Sequence, residues 1–231
     1  MRVLVTRPQP FADRTARLLA ARGHQPLVAP LLRIAPSGEP MPRGEWDAIV
    51  LTSASALIAF PEPPTLVPVF AVGDRTAEAA EEAGFQDVRS ASGDREALAL
   101  LARETLPPHQ RLLVAAGRDR KEDLDRLLHE AGHEAHVWTA YVAEAETQLP
   151  AAARQAIADR SAGHVLHYSR RSASICVALA REEGLDQVLS SLNHVCISED
   201  AAEPVRACGA ASILVAGHPS EDAMLALLPR A

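Results

Sequence analysis

Val3-Leu4-Val5-Thr6-Arg7-Pro8 is the stretch from which the fold can be read. Three consecutive apolar residues make a short run of the kind found in strands buried on both faces. Thr6-Arg7-Pro8 breaks the run. Beyond it Phe11, Thr15, Leu18 and Leu19 recur at helical spacing, and Gly23 stops the helix. Leu27 to Ile34 then extends again, so the opening of the chain predicts a β-α-β unit.

The unit recurs. Leu112-Leu113-Val114 predicts a strand, Ala115-Ala116-Gly117-Arg118 a loop, and Leu124, Leu127, Leu128 and Ala131 a helix stripe ended by Gly132 before Val137 to Val142 extends. Gly23-His24 stands against Gly132-His133, an offset of 109 positions. Two more pairs follow. Ala48–Leu51 and Val165–Tyr168 each run into small hydroxylic residues and a helix. Phe70-Ala71-Val72-Gly73-Asp74-Arg75-Thr76 and Val195-Cys196-Ile197-Ser198-Glu199-Asp200 each open a helix, one stopping near Gly84 and the other near Gly209. Such ordered repetition predicts a duplicated α/β protein with parallel sheets and helices on both faces. The proline-rich stretches Pro36 to Pro42, Pro61 to Pro68 and Pro107-Pro108 read as surface connections.

Composition narrows the class. The chain has 231 residues, 48% hydrophobic and 23% charged, enough apolar material for a core in one large domain or two small ones. The net charge of -7 and the scarcity of aromatics (3%) argue against a nucleic-acid partner. Basic residues are 22 Arg and the single Lys121. Cys176, Cys196 and Cys208 match no zinc spacing and read as buried thiols in a reducing compartment. No apolar leader region opens the chain, and no run approaches the ~18 apolar residues of a membrane span. The expectation is a cytoplasmic protein with no membrane partner.

In open parallel sheets, ligands bind at the carboxyl ends of the strands. Those ends here carry Thr6-Arg7, Thr52-Ser53-Ala54-Ser55, Gly73–Thr76, Gly117-Arg118, Ser169–Ser172 and Ser198-Glu199-Asp200. Free N–H groups at helix starts suit carboxylates or phosphates. The same hydroxyls also serve as plain helix caps, worth about 1 kcal/mol each. His129-Glu130-Ala131-Gly132-His133 matches the H-E-x-x-H zinc signature, but that chemistry needs both histidines on one helical face, and Gly132 places His133 beyond the helix. Dinucleotide, phosphate-loop and nucleophile-elbow fingerprints are missing. Lys121 lies among charged neighbours, where a Schiff-base lysine would need a desolvated site.

Val3-Leu4-Val5-Thr6-Arg7-Pro8, Leu51-Thr52-Ser53-Ala54, Ala71-Val72-Gly73-Asp74-Arg75-Thr76-Ala77 and Val137-Trp138-Thr139-Ala140-Tyr141, in this order and at these separations, resemble the uroporphyrinogen-III synthase family. The resemblance spans nearly the whole chain. It implies two α/β domains, a discontinuous one of residues 1–34 plus 147–231 and another of residues 37–140, joined by a two-stranded linker near 33–36 and 141–146. It implies a lyase that closes hydroxymethylbilane to uroporphyrinogen III, with loss of water and inversion of the last pyrrole ring through a spiro intermediate. No cofactor and no metal are implied, and the expected state is a monomer. The family's substrate-binding loops carry over onto Thr6, Ser53, Ala54, Gly73, Thr76, Gly117 and Ser169, with Arg7, Arg75, Arg170 and Arg171 as assisting cations. Tyr141 matches the family's linker tyrosine, a candidate acid for the departing hydroxyl; it reads equally as an amphipathic strand residue.

Two positions depart from the family pattern. Ser198-Glu199-Asp200-Ala201-Ala202 replaces a Gly-Pro-Thr-Thr-Ala-like turn, and Lys121 replaces an arginine. The acidic pair predicts that this loop does not hold a carboxylate, leaving more of that role to Gly73–Thr76. The alternative expectation is a non-catalytic binder of another anionic small molecule using the same strand ends.

Overall fold

The computed structural model describes residues 1–64, 66–120 and 123–229. The chain divides into two compact units, Met1–Arg33 with Glu144–Ala231, and Ile34–Ala143.

In the first unit the chain forms β1 (Arg2–Val5), α1 (Phe11–Ala21) and β2 (Gln25–Val28), leaves along β3 (Leu32–Pro36), and returns later. The second unit holds β4 (Ala48–Leu51), a 3₁₀ turn (Ala54–Ala59), β5 (Val69–Ala71), α2 (Asp74–Glu82), β6 (Val88–Ser90), α3 (Arg95–Thr105), β7 (Arg111–Gly117), α4 (Leu124–Glu130) and β8 (Glu134–Ala145). Back in the first unit come α5 (Ala151–Ala158), β9 (His164–His167), α6 (Arg170–Glu182), α7 (Asp186–Ser190), β10 (Asn193–Cys196), α8 (Glu199–Ala207), β11 (Ser212–Val215) and α9 (Glu221–Ala226).

The first sheet runs β11-β10-β9-β1-β2, with every pair parallel. One face buries Leu4, Val165 and Cys196 under α5, α6 and α8; the other buries Val3, Val5 and Val195 under α1 and α9. The second sheet runs β3-β8-β7-β4-β5-β6 and is parallel from β8 to β6. Leu112, Val114 and Phe70 face α3 and α4, while Ile49, Leu51 and Leu113 face the 3₁₀ turn and α2. Burial on both faces is why these strands read as continuous apolar runs.

The chain changes unit twice, within β3 and within β8. Those strands are neighbours and antiparallel: Glu146 N–H bonds Leu31 O, and Ser37 N–H bonds Ala140 O.

The duplication is written in the hydrogen bonds. His24 N–H reaches Leu19 O, and His133 N–H reaches Leu128 O. Gln25 N–H bonds Met1 O, and Glu134 N–H bonds Gln110 O. Gly23 and Gly132 follow their helices at φ 81° and 95°, a left-handed conformation that lacks strain only without a Cβ. In space β2-β1-β9-β10-β11 matches β8-β7-β4-β5-β6, so the opening β-α-β unit completes the later pair and the second completes the earlier one.

Two expectations about elements change. The extension expected over Leu27 to Ile34 is two strands: β2 ends at Val28 and β3 starts at Leu32. Pro30 lies between them and has no N–H to continue a ladder. The helix expected after Ser53 is only a 3₁₀ turn, since Phe60 precedes Pro61 and the residue before proline is pushed out of helical geometry. No helix among the described residues is long and apolar enough to cross a membrane.

Candidate functional site

In the second unit the chain leaves β4 toward β5 and β6 on one side, and returns to β7 and β8 on the other. Connections above β4 and β7 therefore diverge, and open α/β sheets form their ligand crevice at this switch point. A cavity of about 610 Å³ lies here. Thr52 and Ser53 at the end of β4 and Ala116 and Gly117 at the end of β7 contribute to its wall, together with Tyr141 of β8.

A bulge places Tyr141. Ala116 pairs with Thr139, but Gly117 pairs with Tyr141, so Ala140 is an extra residue in β8. Arg118 N–H then bonds Tyr141 O at 3.0 Å. The phenol lies against Gly117 so closely that a Cβ there would be 2.7 Å from Tyr141 Cζ and 2.9 Å from its hydroxyl oxygen. Opposite, Ser53 caps the 3₁₀ turn by accepting Ser55 N–H at 3.2 Å.

Among the described residues, four charged side chains line the same cavity: Arg95 from the first turn of α3, Arg120, Asp119 and Asp125. Arg120 Nη1 donates to Gly117 O at 3.2 Å. Arg95 donates to Asp123, the residue that precedes α4. Arg95 is not singled out from sequence; Thr52 is read there as part of the strand-end loop but is not carried over as a binding residue. Asp94 followed by Leu98, Ala99 and Ala102 is the signal for α3: its carboxylate accepts Ala97 N–H at 2.9 Å, and those three residues are buried.

Ala54, Gly73 and Thr76 lie at strand ends of the same unit but are not among the residues lining this cavity. Gly73 stands at the N-cap of α2, in extended geometry, with open space where a Cβ would be. Asp74 beside it accepts hydroxyl hydrogen bonds from Ser90 and Ser92, which hold its carboxyl below the usual range.

In the first unit the corresponding strand ends are occupied by the protein itself. Thr6 is buried; its hydroxyl donates to Leu166 O at 2.8 Å and lies 3.3 Å from Ser172 Oγ. Ser169 caps α6 by accepting Ser172 N–H. Arg7 Nη1 donates to Glu221 Oε1 at 2.9 Å and to Thr15 Oγ1, and its guanidinium stacks over Tyr168 at 4.1 Å. Thr15 and Tyr168 hydroxyls also donate to Glu221 Oε1. Burial, opposed in part by the Thr15 hydrogen bond, pushes the Tyr168 phenol up to about 12.

The remaining sequence expectations divide. Arg75 and Arg171 are exposed. Arg170 is paired with Asp200 and Glu203, and Glu199 with Arg206, so the acidic loop is internally compensated. His129 lies on α4, and its Nδ1 is 2.6 Å from Asp125 O. His133 is buried past Gly132, where desolvation lowers its basicity. Lys121 lies outside the described residues.

Two parallel α/β units, the second with a strand-end cavity lined by phenol, hydroxyl, guanidinium and carboxylate groups, define the class as a two-unit α/β protein. Residues 13–226 match the family model described as uroporphyrinogen-III synthase HemD. The chain therefore belongs to the uroporphyrinogen-III synthase family, the cyclising lyases of tetrapyrrole biosynthesis. Among solved structures it resembles uroporphyrinogen-III synthetase from Helicobacter pylori (16% identity, 98% of each chain, TM-score 0.64). It also resembles a mutant uroporphyrinogen III synthase from Thermus thermophilus (16% identity, 98% of this chain and 96% of that one, TM-score 0.51). At that identity both likenesses speak to the fold. No curated protein matches the sequence.

Proposed function

We propose that the switch-point cavity of the second unit is where this chain ionises and closes hydroxymethylbilane. The observation that carries the proposal is Tyr141 seated on Gly117 in the cavity wall, facing the β4 end that bears Thr52 and Ser53. Cyclisation begins when the terminal hydroxyl leaves as water, and that oxygen needs a proton. A phenol holds its proton at neutral pH and can pass it to a departing oxygen. The bulge and the Gly117 contact fix the phenol's position, as general acid catalysis requires.

The azafulvene cation left behind is reactive without help and closes to the wrong isomer unless the chain is held folded. Selection is then by positioning. Ser53, with Ala54, Gly73, Thr76 and Gly117, supplies hydroxyl and main-chain N–H groups for the substrate's carboxylates. Thr6 and Ser169 stand at the corresponding strand ends of the first unit, where their hydroxyls are engaged with Leu166 O and Ser172 N–H. Arg7, tied to Glu221, contributes by shaping its own loop in that unit. This reading suits a reducing compartment such as the cytoplasm: Cys176, Cys196 and Cys208 are free, and burial raises all three thiols above their usual range.

Product analysis tests the proposal. With hydroxymethylbilane, the chain is expected to give uroporphyrinogen III in excess over the I isomer formed by spontaneous closure. Only the I isomer, at the uncatalysed rate, would leave a binder of another anion as the reading.

A further inference from the structure

Arg95 and Asp123 form an ion pair in the cavity wall whose placement contradicts the preferences of both helices it joins. Arg95 occupies the first turn of α3, where the helix dipole disfavours a cation. Asp123 stands at the N-cap of α4, yet its carboxylate makes no capping bond and goes to Arg95 instead. The two helices are packed side by side through Leu98, Ala99, Ala102, Leu124 and Leu128, which brings their N-terminal ends together at the carboxyl edge of the sheet. The guanidinium is thus set among partial positive charges, and what settles it is one carboxylate. Breaches of local preference with no gain in packing concentrate at functional sites.

We propose that Arg95 is a specificity residue that grips one carboxylate of the ligand, and that Asp123 is an internal stand-in for that carboxylate. This rests on the cavity being the substrate site. Both side chains are partly exposed, at 24% and 35%, so the pair is open to exchange with a solute anion. On ligand entry the Arg95 fork passes from Asp123 to the ligand, which suits a planar guanidinium and an incoming carboxylate. Asp123 then has somewhere to go: its position before Leu124 lets it turn onto the first N–H groups of α4. Among the described residues, the other charged side chains on this wall are Arg120, which donates to Gly117 O, and Asp119 and Asp125, which carry the ligand's own sign. Arg95 is then a cation with both arms of its fork available to an acid side chain once Asp123 swings away. A competitor built into the wall also discriminates, since a weak or misplaced anion would not displace it.

The test is a double-mutant cycle with Arg95→Gln and Asp123→Asn. It is read as KM for hydroxymethylbilane and as Kd for uroporphyrin III, the oxidised octacarboxylate product, measured by quenching of protein fluorescence. Arg95→Gln is expected to raise Kd about tenfold and KM by more than kcat changes. Asp123→Asn is expected to lower Kd several-fold in the wild-type background and to leave it unchanged in the Arg95→Gln background. Arg95→Lys, which keeps the charge but loses the fork, is expected to fall between and covers the case in which the glutamine variant does not fold. An Asp123→Asn effect of equal size with and without Arg95 would mean a general charge effect and overturn the exchange. An unchanged Kd in folded Arg95→Gln would overturn the role of Arg95. A wild-type chain making no III isomer would instead overturn the functional reading beneath it.

Discussion

Gly117 and Tyr141 are paired across β7 and β8 by a single-residue bulge, and their approach leaves no room for a side chain at position 117. The contact links a backbone irregularity to the position of a phenol. Gly117→Ala is expected to displace the Tyr141 ring, lower kcat at least tenfold, and cost about 1–3 kcal/mol from overpacking. Steady-state kinetics with thermal denaturation measures both. Unchanged kcat in the alanine variant would detach the bulge from catalysis.

In the first unit, Glu221 is 2% exposed and Arg7 16%. Removing one partner of a buried pair leaves the other uncompensated, at a cost of about 3–5 kcal/mol. Glu221→Ala is expected to reach roughly that range in urea unfolding, with the Thr15 and Tyr168 hydroxyl bonds lost as well. A loss below about 1 kcal/mol would show the pair to behave as an exposed one.

His167 and His194 are buried together, rings stacked, with His167 Nε2 and His194 Nδ1 3.0 Å apart. Burial pushes His167 down to about 3, and lowers His194 too. His167 is thus neutral in the folded state while the unfolded chain takes up protons near pH 6.5, and the lowered His194 acts in the same direction. Their contribution is complete above the unfolded pKa and is lost as pH falls below it toward the folded value. His167 alone removes on the order of 2 kcal/mol between pH 7 and pH 5. His167→Gln is expected to flatten that part of the stability profile. An equally steep profile in the variant would place the acid sensitivity elsewhere.

Ser53 and Ser198 are both helix-start caps, but only Ser53 lines the cavity. Alanine at either position is expected to cost about 1 kcal/mol of stability. Ser53→Ala is expected to raise KM about five- to tenfold, consistent with a lost charge-assisted hydrogen bond; Ser198→Ala leaves KM unchanged. Equal KM values in both variants would confine Ser53 to capping.

The architecture was legible because a strand buried on both faces has to be apolar throughout and a helix that stops tightly needs a glycine, and both signals occur twice, at Gly23 and at Gly132. What local pattern does not encode is where strands from distant parts of the chain meet. The bulge at Ala140 and the contact of Tyr141 with Gly117 depend on register between β7 and β8, so the sequence offers both residues without their juxtaposition. Arg95 escaped notice because its helix follows an edge strand of three residues, and only packing of α3 beside α4 brings it to the cavity. Thr6 and Arg7 carry the residue types expected of a binding loop, yet their side chains are engaged with Leu166, Ser172 and Glu221, which an isolated motif does not disclose.

The most direct measurement is the turnover of hydroxymethylbilane by Tyr141→Phe, with product isomers resolved and folding checked. The phenyl ring keeps the contact with Gly117 and removes only the proton donor. If Tyr141 is the general acid, kcat falls about a hundredfold, within the range of a lost general acid, with the III isomer still formed by the enzyme-bound fraction. Full turnover by the folded variant would contradict it.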